Sequence, residues 1–488
     1  WSMINGRVIC KVLAKLLFLE AFLLLISWGV GLLYHESGYR EFGFSLLVAM
    51  GFGFVLHVVG KRSDNQVNRR DGFVIVALTW ILFSLIGMLP FLFGGHVTDG
   101  VADAWFEAVS GFTTTGSSIL SHIDSLPRSI LFWRSLTHWI GGLGIVIFTI
   151  AFLPSLGSNN LKLFSAESTG MSQERIHPRV STTARWLWIV YLLLTVACTL
   201  LLWLAGMSFF DAVNHAFSTL ATGGFSTHQD SILYFHSPLI EYILIVFMFL
   251  GSINFTLFYL SLFKRQWKDL FRDDELRFYA AFLGTVTLII MLSLIIMRDE
   301  PVEQALRHTL FTLISFESTT GFVSCDYMLW PPMTWVLLLL ALVVGGCAGS
   351  TGGGVKCIRL VTFYKVLQSE FKLMLHPKAV VPPCINRSPL TSAVLRRLMA
   401  FMFAYIVIIV VGTFLMAAQG LPLLESLSMS VSAFSNAGPS IGHTFGAYDS
   451  LSDLPVGVKW IYSLLMLLGR LEIFTLILPF MPAFWRRH

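Results

Sequence analysis

Ser315–Phe316–Glu317–Ser318–Thr319–Thr320–Gly321 is the third of four segments that share one phase along this 488-residue chain. The others are Ser110–Gly111–Phe112–Thr113–Thr114–Thr115–Gly116, Ser218–Thr219–Leu220–Ala221–Thr222–Gly223–Gly224 and Ser432–Ala433–Phe434–Ser435–Asn436–Ala437–Gly438. With the final glycines superposed, a serine stands six residues earlier in all four. Thr, Thr, Thr and Asn stand two earlier. The glycines are spaced by 108, 97 and 117 residues. A signal repeated at this spacing predicts four copies of one supersecondary unit arranged with pseudo-fourfold symmetry about a single axis.

Outward from each segment the chain is apolar. Short runs near 101–113, 209–221, 303–317 and 423–435 lead straight into the four segments, and each is too short to cross a bilayer. Longer runs flank them, and ten spans are expected near 11–33, 43–60, 73–95, 131–153, 186–206, 237–263, 278–297, 333–356, 393–418 and 458–484. The composition agrees: 55% of residues are hydrophobic and only 12% charged, about half the charged fraction of a soluble domain. The fold class that follows is an all-α polytopic membrane protein, with two N-terminal helices and then four helix–pore-helix–filter–helix repeats. The repeats are expected over 71–185, 186–277, 278–392 and 393–488, with the extra helices over 1–70. The first apolar run is long and lacks a small-residue cleavage site, so it reads as a span rather than a leader.

The basic residues assign the sides. Of 33 lysines and arginines, 26 fall in one set of loops, around 7–15, 61–70, 162–185, 264–277, 356–397 and 486–487. The opposite loops hold Arg40, Arg128, Arg298 and Arg307. The positive-inside rule makes the first set cytoplasmic, places both termini inside and puts all four glycine segments on the outer side.

Irregular backbone at membrane depth is tolerated only where it is buried in protein or lines water. Four such loops meet that condition around a common pore. Rings of backbone carbonyls there replace the hydration shell of a cation. The expected filter residues are Thr114, Thr115, Gly116, Thr222, Gly223, Gly224, Thr319, Thr320, Gly321, Asn436, Ala437 and Gly438. Each preceding helix aims its negative end at the pore. Asp103, Glu107, Asp211, Glu303 and Glu425, near the other ends, read as caps and dipole partners. His138, Glu317 and His228 read as hydrogen-bonded structural groups. The six cysteines suggest neither a disulfide framework nor a metal site.

Gly345–Gly346–Cys347–Ala348–Gly349–Ser350–Thr351–Gly352–Gly353–Gly354 has six glycines in ten residues inside an apolar span. Each glycine disfavours helix by about 1 kcal/mol relative to alanine. A break and a polar loop below the filter are expected, with Gly345, Gly346, Gly349, Gly352, Gly353, Gly354 and Lys356 as its parts. It is not a phosphate loop, which needs Gly–Lys–Ser or Gly–Lys–Thr, whereas here Lys356 follows Val355. Arg470, charged within the last span, must face protein or water. Its i, i+2 spacing from Glu472 puts the two on different helix faces.

The Thr–Thr–Gly, Thr–Gly–Gly–Phe–Ser, Thr–Thr–Gly–Phe and Asn–Ala–Gly–Pro stretches resemble the filters of the Trk/Ktr/HKT superfamily of cation transporters. Arg134–Ser135–Leu136–Thr137–His138–Trp139–Ile140–Gly141–Gly142–Leu143–Gly144, the run Gly345–Lys356 and Gly469–Arg470–Leu471–Glu472–Ile473–Phe474 resemble the same family's later helices. The two extra N-terminal helices make the chain most similar to the bacterial TrkH/TrkG branch. The resemblance implies potassium uptake across the inner membrane, a homodimer, and a cytosolic nucleotide-binding regulatory subunit of TrkA type. It also implies that Gly345–Gly354 and Arg470 gate the pore. Glycine in all four filters goes with potassium permeation in the family, and a serine at the first goes with sodium. Ala437 departs from the commoner Asn–Leu–Gly.

No HExxH and no cluster of ionisable groups within the spans favours an enzyme. An inverted-repeat transporter would show halves of opposite topology, whereas these four units enter from one side. The expected cargo is K⁺, with no organic cofactor and no nucleic-acid partner. A potassium/sodium or proton-coupled symporter of the same fold remains the alternative.

Overall fold

The computed structural model describes residues 4–36, 39–63, 67–94, 97–144, 180–265, 267–386 and 388–486. The chain order is α1 (Gly6–Leu33), α2 (Tyr39–Gly60), α3 (Arg69–Gly87), α4 (Leu89–Phe93), α5 (Val101–Phe112), α6 (Arg128–Gly142), α7 (Val180–Leu204), α8 (Phe209–Leu220), α9 (Pro238–Ser252) and α10 (Phe255–Lys264). It continues with α11 (Trp267–Arg272), α12 (Asp274–Arg298), α13 (Val302–Glu317), α14 (Pro332–Val344), α15 (Cys357–Leu375), a small hairpin of β1 (Cys384–Ile385) and β2 (Ser388–Pro389), α16 (Ser392–Ala417), α17 (Leu423–Ser435), α18 (Val456–Arg470), α19 (Phe474–Ile477) and α20 (Pro482–Trp485). The fold is all-α, as expected from the sequence. Six described helices are long and apolar enough to cross a membrane, so this is a multi-pass membrane protein.

The four short apolar runs are the helices α5, α8, α13 and α17. Each packs against the helix that follows it, α6, α9, α14 and α18 respectively. Each also packs against the corresponding helix of the unit before it: α8 on α6, α13 on α9, α17 on α14, and α5 on α18. The last of these contacts closes the circle between the first and fourth units.

Three expected spans are interrupted. The run 333–356 ends as a helix at Val344, where the glycine loop begins, as expected. The runs 237–263 and 458–484, expected to be continuous, bend by 96° and 108° at their breaks. In the first, Ile253 is extended and the Asn254 side chain accepts from Thr256 N–H to cap α10. In the second, Glu472 and Ile473 take φ of 49° and 61°. Helix α6 likewise stops at Gly142, and residues 145–153 of the run 131–153 lie outside the described residues, as do Lys162, Arg175 and Arg179. The glycines at these ends have a packing cause. A Cβ on Gly141 would stand 1.9 Å from Phe112 O, and one on Gly469 would stand 2.0 Å from Phe434 O. These helices reach backbone-to-backbone contact with the ends of the short helices, which only glycine allows.

A candidate cation filter and the loop beneath it

All four short helices end in the same way. Thr114, Thr222, Thr319 and Asn436 have φ of 56°, 52°, 57° and 55°, the left-handed region. Their N–H groups donate to Gly111, Thr219, Phe316 and Ala433 O at 3.1–3.2 Å. The next residue in each, Thr115, Gly223, Thr320 and Ala437, donates to Ser110, Ser218, Ser315 and Ser432 O at 2.8–3.1 Å. This pair of bonds is a Schellman motif, which satisfies two of the orphaned carbonyls at a helix end and reverses the chain. Three β-branched threonines in this conformation are strained outliers. Local hydroxyl bonds offset part of that strain: Thr114 and Thr222 Oγ1 donate to the preceding carbonyl at 2.7 and 2.6 Å.

The reversal carries each glycine against its neighbour. A Cβ on Gly116 would stand 1.9 Å from Gly223 O, on Gly224 2.1 Å from Thr320 O, on Gly321 2.3 Å from Ala437 O, and on Gly438 2.5 Å from Thr115 O. The order first–second–third–fourth–first is a closed ring of backbone, in which each glycine touches the carbonyl preceding the next glycine. All four glycines have φ between 79° and 92°. Above the ring, Gly116, Gly224, Gly321 and Gly438 line an open cavity of about 100 Å³. The twelve filter residues singled out in the sequence are therefore brought to one place.

The acids near the starts of the short helices do more than cap. Glu107 is fully buried and accepts from Arg134 Nε at 2.8 Å, from Ser118 Oγ and from Ile119 N–H. Arg134 also donates to Ser226 O at 3.0 Å and lies over the Phe225 ring. The pair thus ties the strand leaving the first filter to the strand leaving the second. Asp103 pairs with Lys459 at 2.7 Å, and Glu425 accepts from Thr444 N–H at 2.9 Å. Asp211 takes Ser208 and Thr227 hydroxyls, and Glu303 pairs with Arg307. His228 bonds Asp124 at 2.6 Å, as a structural group should. Burial alone would lower its pKa, but the neighbouring carboxylates of Asp211 and Asp124 outweigh that and raise it. His138 stacks on Phe225 at 4.1 Å, but it is buried and neither ring nitrogen has a hydrogen-bond partner among the described residues, so it departs from the expected hydrogen-bonded role. Glu317 differs from the expectation: it is buried, and neither carboxylate oxygen has a hydrogen-bond partner among the described residues.

The glycine-rich loop lies directly beneath the ring. Gly353 N–H donates to Thr319 Oγ1 at 2.7 Å and Gly354 N–H to Ser435 O at 3.1 Å. Thr351 Oγ1 reaches Leu220 O at 2.9 Å and Gly251 O at 3.1 Å. A Cβ on Gly352 would stand 2.8 Å from Ser318 O, and one on Gly353 1.9 Å from Ser435 O. Gly345, Gly349 and Gly354 hold φ of 66°, 75° and 76°. Gly346 lies against Ser252, and Lys356 Nζ caps Gly352 O within the loop. The loop thus touches the second, third and fourth units. Arg470 closes the remaining side: its guanidinium donates to Thr351 O at 3.0 Å, to Gly142 O at 2.6 Å and to Gly141 O. Its separation from Glu472 is as expected, since Glu472 pairs instead with Arg359 at 2.7 Å. A cavity of about 20 Å³ beside the loop is lined by Gly352–Gly354, Lys356, Asn436 and Arg470.

Sequence reasoning passed over Thr351, Ser252 and Glu275. Thr351 sat within the quoted loop but had no repeat partner to flag it. Glu275 stood in a segment rich in basic residues, and its position beside the loop depends on tertiary packing.

Four chain reversals of one kind thus close a ring of backbone, with the glycine-rich loop bonded against one side of it. The chain belongs to the TrkH family of cation transport proteins, whose family model matches residues 42–487. It is 37% identical over 485 residues to the Trk system potassium uptake protein TrkH of Salmonella typhimurium, covering 98% of this chain and 99% of that one. It is 34% identical to the Trk system potassium uptake protein TrkG of Escherichia coli K12, covering 98% and 99%. The crystal structure of the potassium transporter TrkH from Vibrio parahaemolyticus superposes with a TM-score of 0.89 at 35% identity, covering 98% of this chain and 99% of that one.

Proposed function

We propose that this chain takes up K⁺ across the bacterial inner membrane through the ring formed by Thr114–Gly116, Thr222–Gly224, Thr319–Gly321 and Asn436–Gly438. Carbonyl oxygens replace the hydration shell of the ion at the ring. The observation that carries this reading is the cyclic contact of each filter glycine with the carbonyl preceding the next. The potassium uptake named for TrkH and TrkG relatives at 34–37% identity supports the choice of ion. The units 71–185, 186–277, 278–392 and 393–488, after the two helices of 1–70, are the natural division of the pore.

Gly345–Gly354, with Lys356 and Arg470, is the gate of this proposal. Its bonds to Thr319, Ser435 and Leu220, at the ends of three of the four short helices, support this reading. A homodimer with both termini cytoplasmic, and a TrkA-type regulatory subunit acting on the cytoplasmic loops, complete it. Deleting Gly346–Gly353 tests the gate. Purified deletion protein in liposomes should pass Rb⁺ several-fold faster than the parent. Equal flux from folded protein would remove the loop from the mechanism. Pull-down from native membranes tests the partner, and recovery of no nucleotide-binding subunit would count against it.

A further inference from the structure

Three consecutive acids, Asp273–Asp274–Glu275, lie in the stretch from Lys264 to Arg277, which holds five basic residues and one further acid, Asp269. They sit at the start of α12, and each has a defined partner. The Asp273 carboxylate accepts Leu276 N–H at 2.8 Å, capping the helix, and accepts Asn386 Nδ2 at 2.8 Å with its other oxygen. Asp274 donates its N–H to Asn386 Oδ1 at 2.9 Å and accepts Asn386 N–H at 3.0 Å. Asn386 is the turn of the β1–β2 hairpin, with φ of 47°. The two aspartates therefore hold the hairpin by three hydrogen bonds to one residue.

Glu275 faces the other way. It is 4% exposed, and one carboxylate oxygen accepts Ala348 N–H at 2.6 Å and Ile358 N–H at 2.9 Å. Those amides stand at the two feet of the glycine loop. Cys357 N–H also donates to Gly346 O at 3.1 Å, so the feet are drawn together. Nothing in the filter itself performs this task. A loop that leaves the passage must spread or shift its feet, and the Glu275 carboxylate bridges both.

We infer that Glu275 is a positioning residue of the gate, and that Asp273–Asp274–Glu275 couples the position of the cytoplasmic hairpin Cys384–Pro389 to the glycine loop. This rests on the reading that the loop is the gate. Each link is a hydrogen bond between neighbouring residues, and the chain from Asn386 to Ala348 passes through only three residues at one helix start. Displacing the hairpin drags the start of α12, and with it the acceptor that holds the loop closed.

The test uses full-length protein in liposomes, with Rb⁺ flux as readout and the Gly346–Gly353 deletion as reference. Glu275→Ala leaves two buried amides without an acceptor and should raise basal flux about tenfold. Glu275→Gln keeps the volume and an acceptor oxygen and should stay near the parent, whereas Glu275→Met keeps the volume without the acceptor and should conduct like Glu275→Ala. Asn386→Ala should raise flux less. It should also speed hydrogen exchange in the peptide spanning 345–360, which Asn386 does not touch. If the deletion itself leaves flux unchanged, the gate reading fails. If the deletion conducts but Glu275→Ala behaves as the parent, Glu275 does not hold the gate. If Glu275→Ala conducts and exchange at 345–360 is unmoved in Asn386→Ala, the coupling to the hairpin is overturned.

Discussion

Replacing one filter glycine by alanine perturbs the ring at a known point. At Gly116, φ of 79° lies where an L-residue pays about 1–2 kcal/mol. The added Cβ would meet Gly223 O at 1.9 Å, more than 1 Å inside any ordinary contact. Neither side can yield cheaply, because the clashing atom is a backbone carbonyl and not the end of a flexible side chain. The first and second filter strands must separate, and Gly223 O leaves its place in the ring. At Gly438 the same Cβ would stand 2.5 Å from Thr115 O, so the displacement is smaller. Discrimination between K⁺ and Na⁺ depends on the number and placement of these oxygens, and about 1.4 kcal/mol corresponds to a factor of ten. Gly116→Ala should therefore cut the K⁺/Na⁺ flux ratio at least tenfold, and Gly438→Ala by less. The assay is the uptake of ⁸⁶Rb⁺ and ²²Na⁺ into liposomes at matched incorporation. An unchanged ratio in folded Gly116→Ala would refute the argument that these glycines close a coordinating ring.

Arg470→Ala should raise K⁺ flux several-fold without changing selectivity, because it frees Thr351 O and removes a cation from below the filter; liposome flux checks this. Arg470→Lys should follow Ala, since one ammonium cannot reproduce a fork spanning Thr351, Gly141 and Gly142. Arg134→Met strands Glu107 in a fully buried site and should cost about 3–5 kcal/mol, read as a lowered thermal midpoint in detergent, with Glu107→Leu in the same protein recovering part of it. His228 has its folded pKa raised, so its stabilising pairs with Asp124 and Asp211 are complete below the unfolded value of about 6.5 and are lost as pH rises through the folded value. The drop in thermal midpoint caused by His228→Leu should be largest near about pH 6 and shrink at alkaline pH.

The phase of Gly116, Gly224, Gly321 and Gly438 was legible because polar residues recurring in one phase along an apolar chain mark a repeated structural unit. The role of Thr114, Thr222 and Thr319 was not. They read as oxygen ligands or ties, since threonine is a poor residue for the left-handed conformation and propensity points away from it. Only Asn436 at the same position hints at a helix C-terminus. The breaks at 253–254 and 471–473 were hidden for a different reason. Ile253, Leu471 and Ile473 keep the hydropathy high, and single glycines at 251 and 469 do not stand out as the run Gly345–Gly354 does. Arg470 was rightly separated from Glu472 by helix geometry. Its actual partners come from the first and third units and depend on the closure of the circle.

The most direct test of potassium selection at the ring is the ion dependence of the parent protein alone. Purified protein in liposomes, driven by an imposed membrane potential, should pass K⁺ and Rb⁺ and exclude Na⁺ and Li⁺. Passage of Na⁺ as readily as K⁺ would contradict the claim that the ring of Gly116, Gly224, Gly321 and Gly438 selects a dehydrated potassium ion.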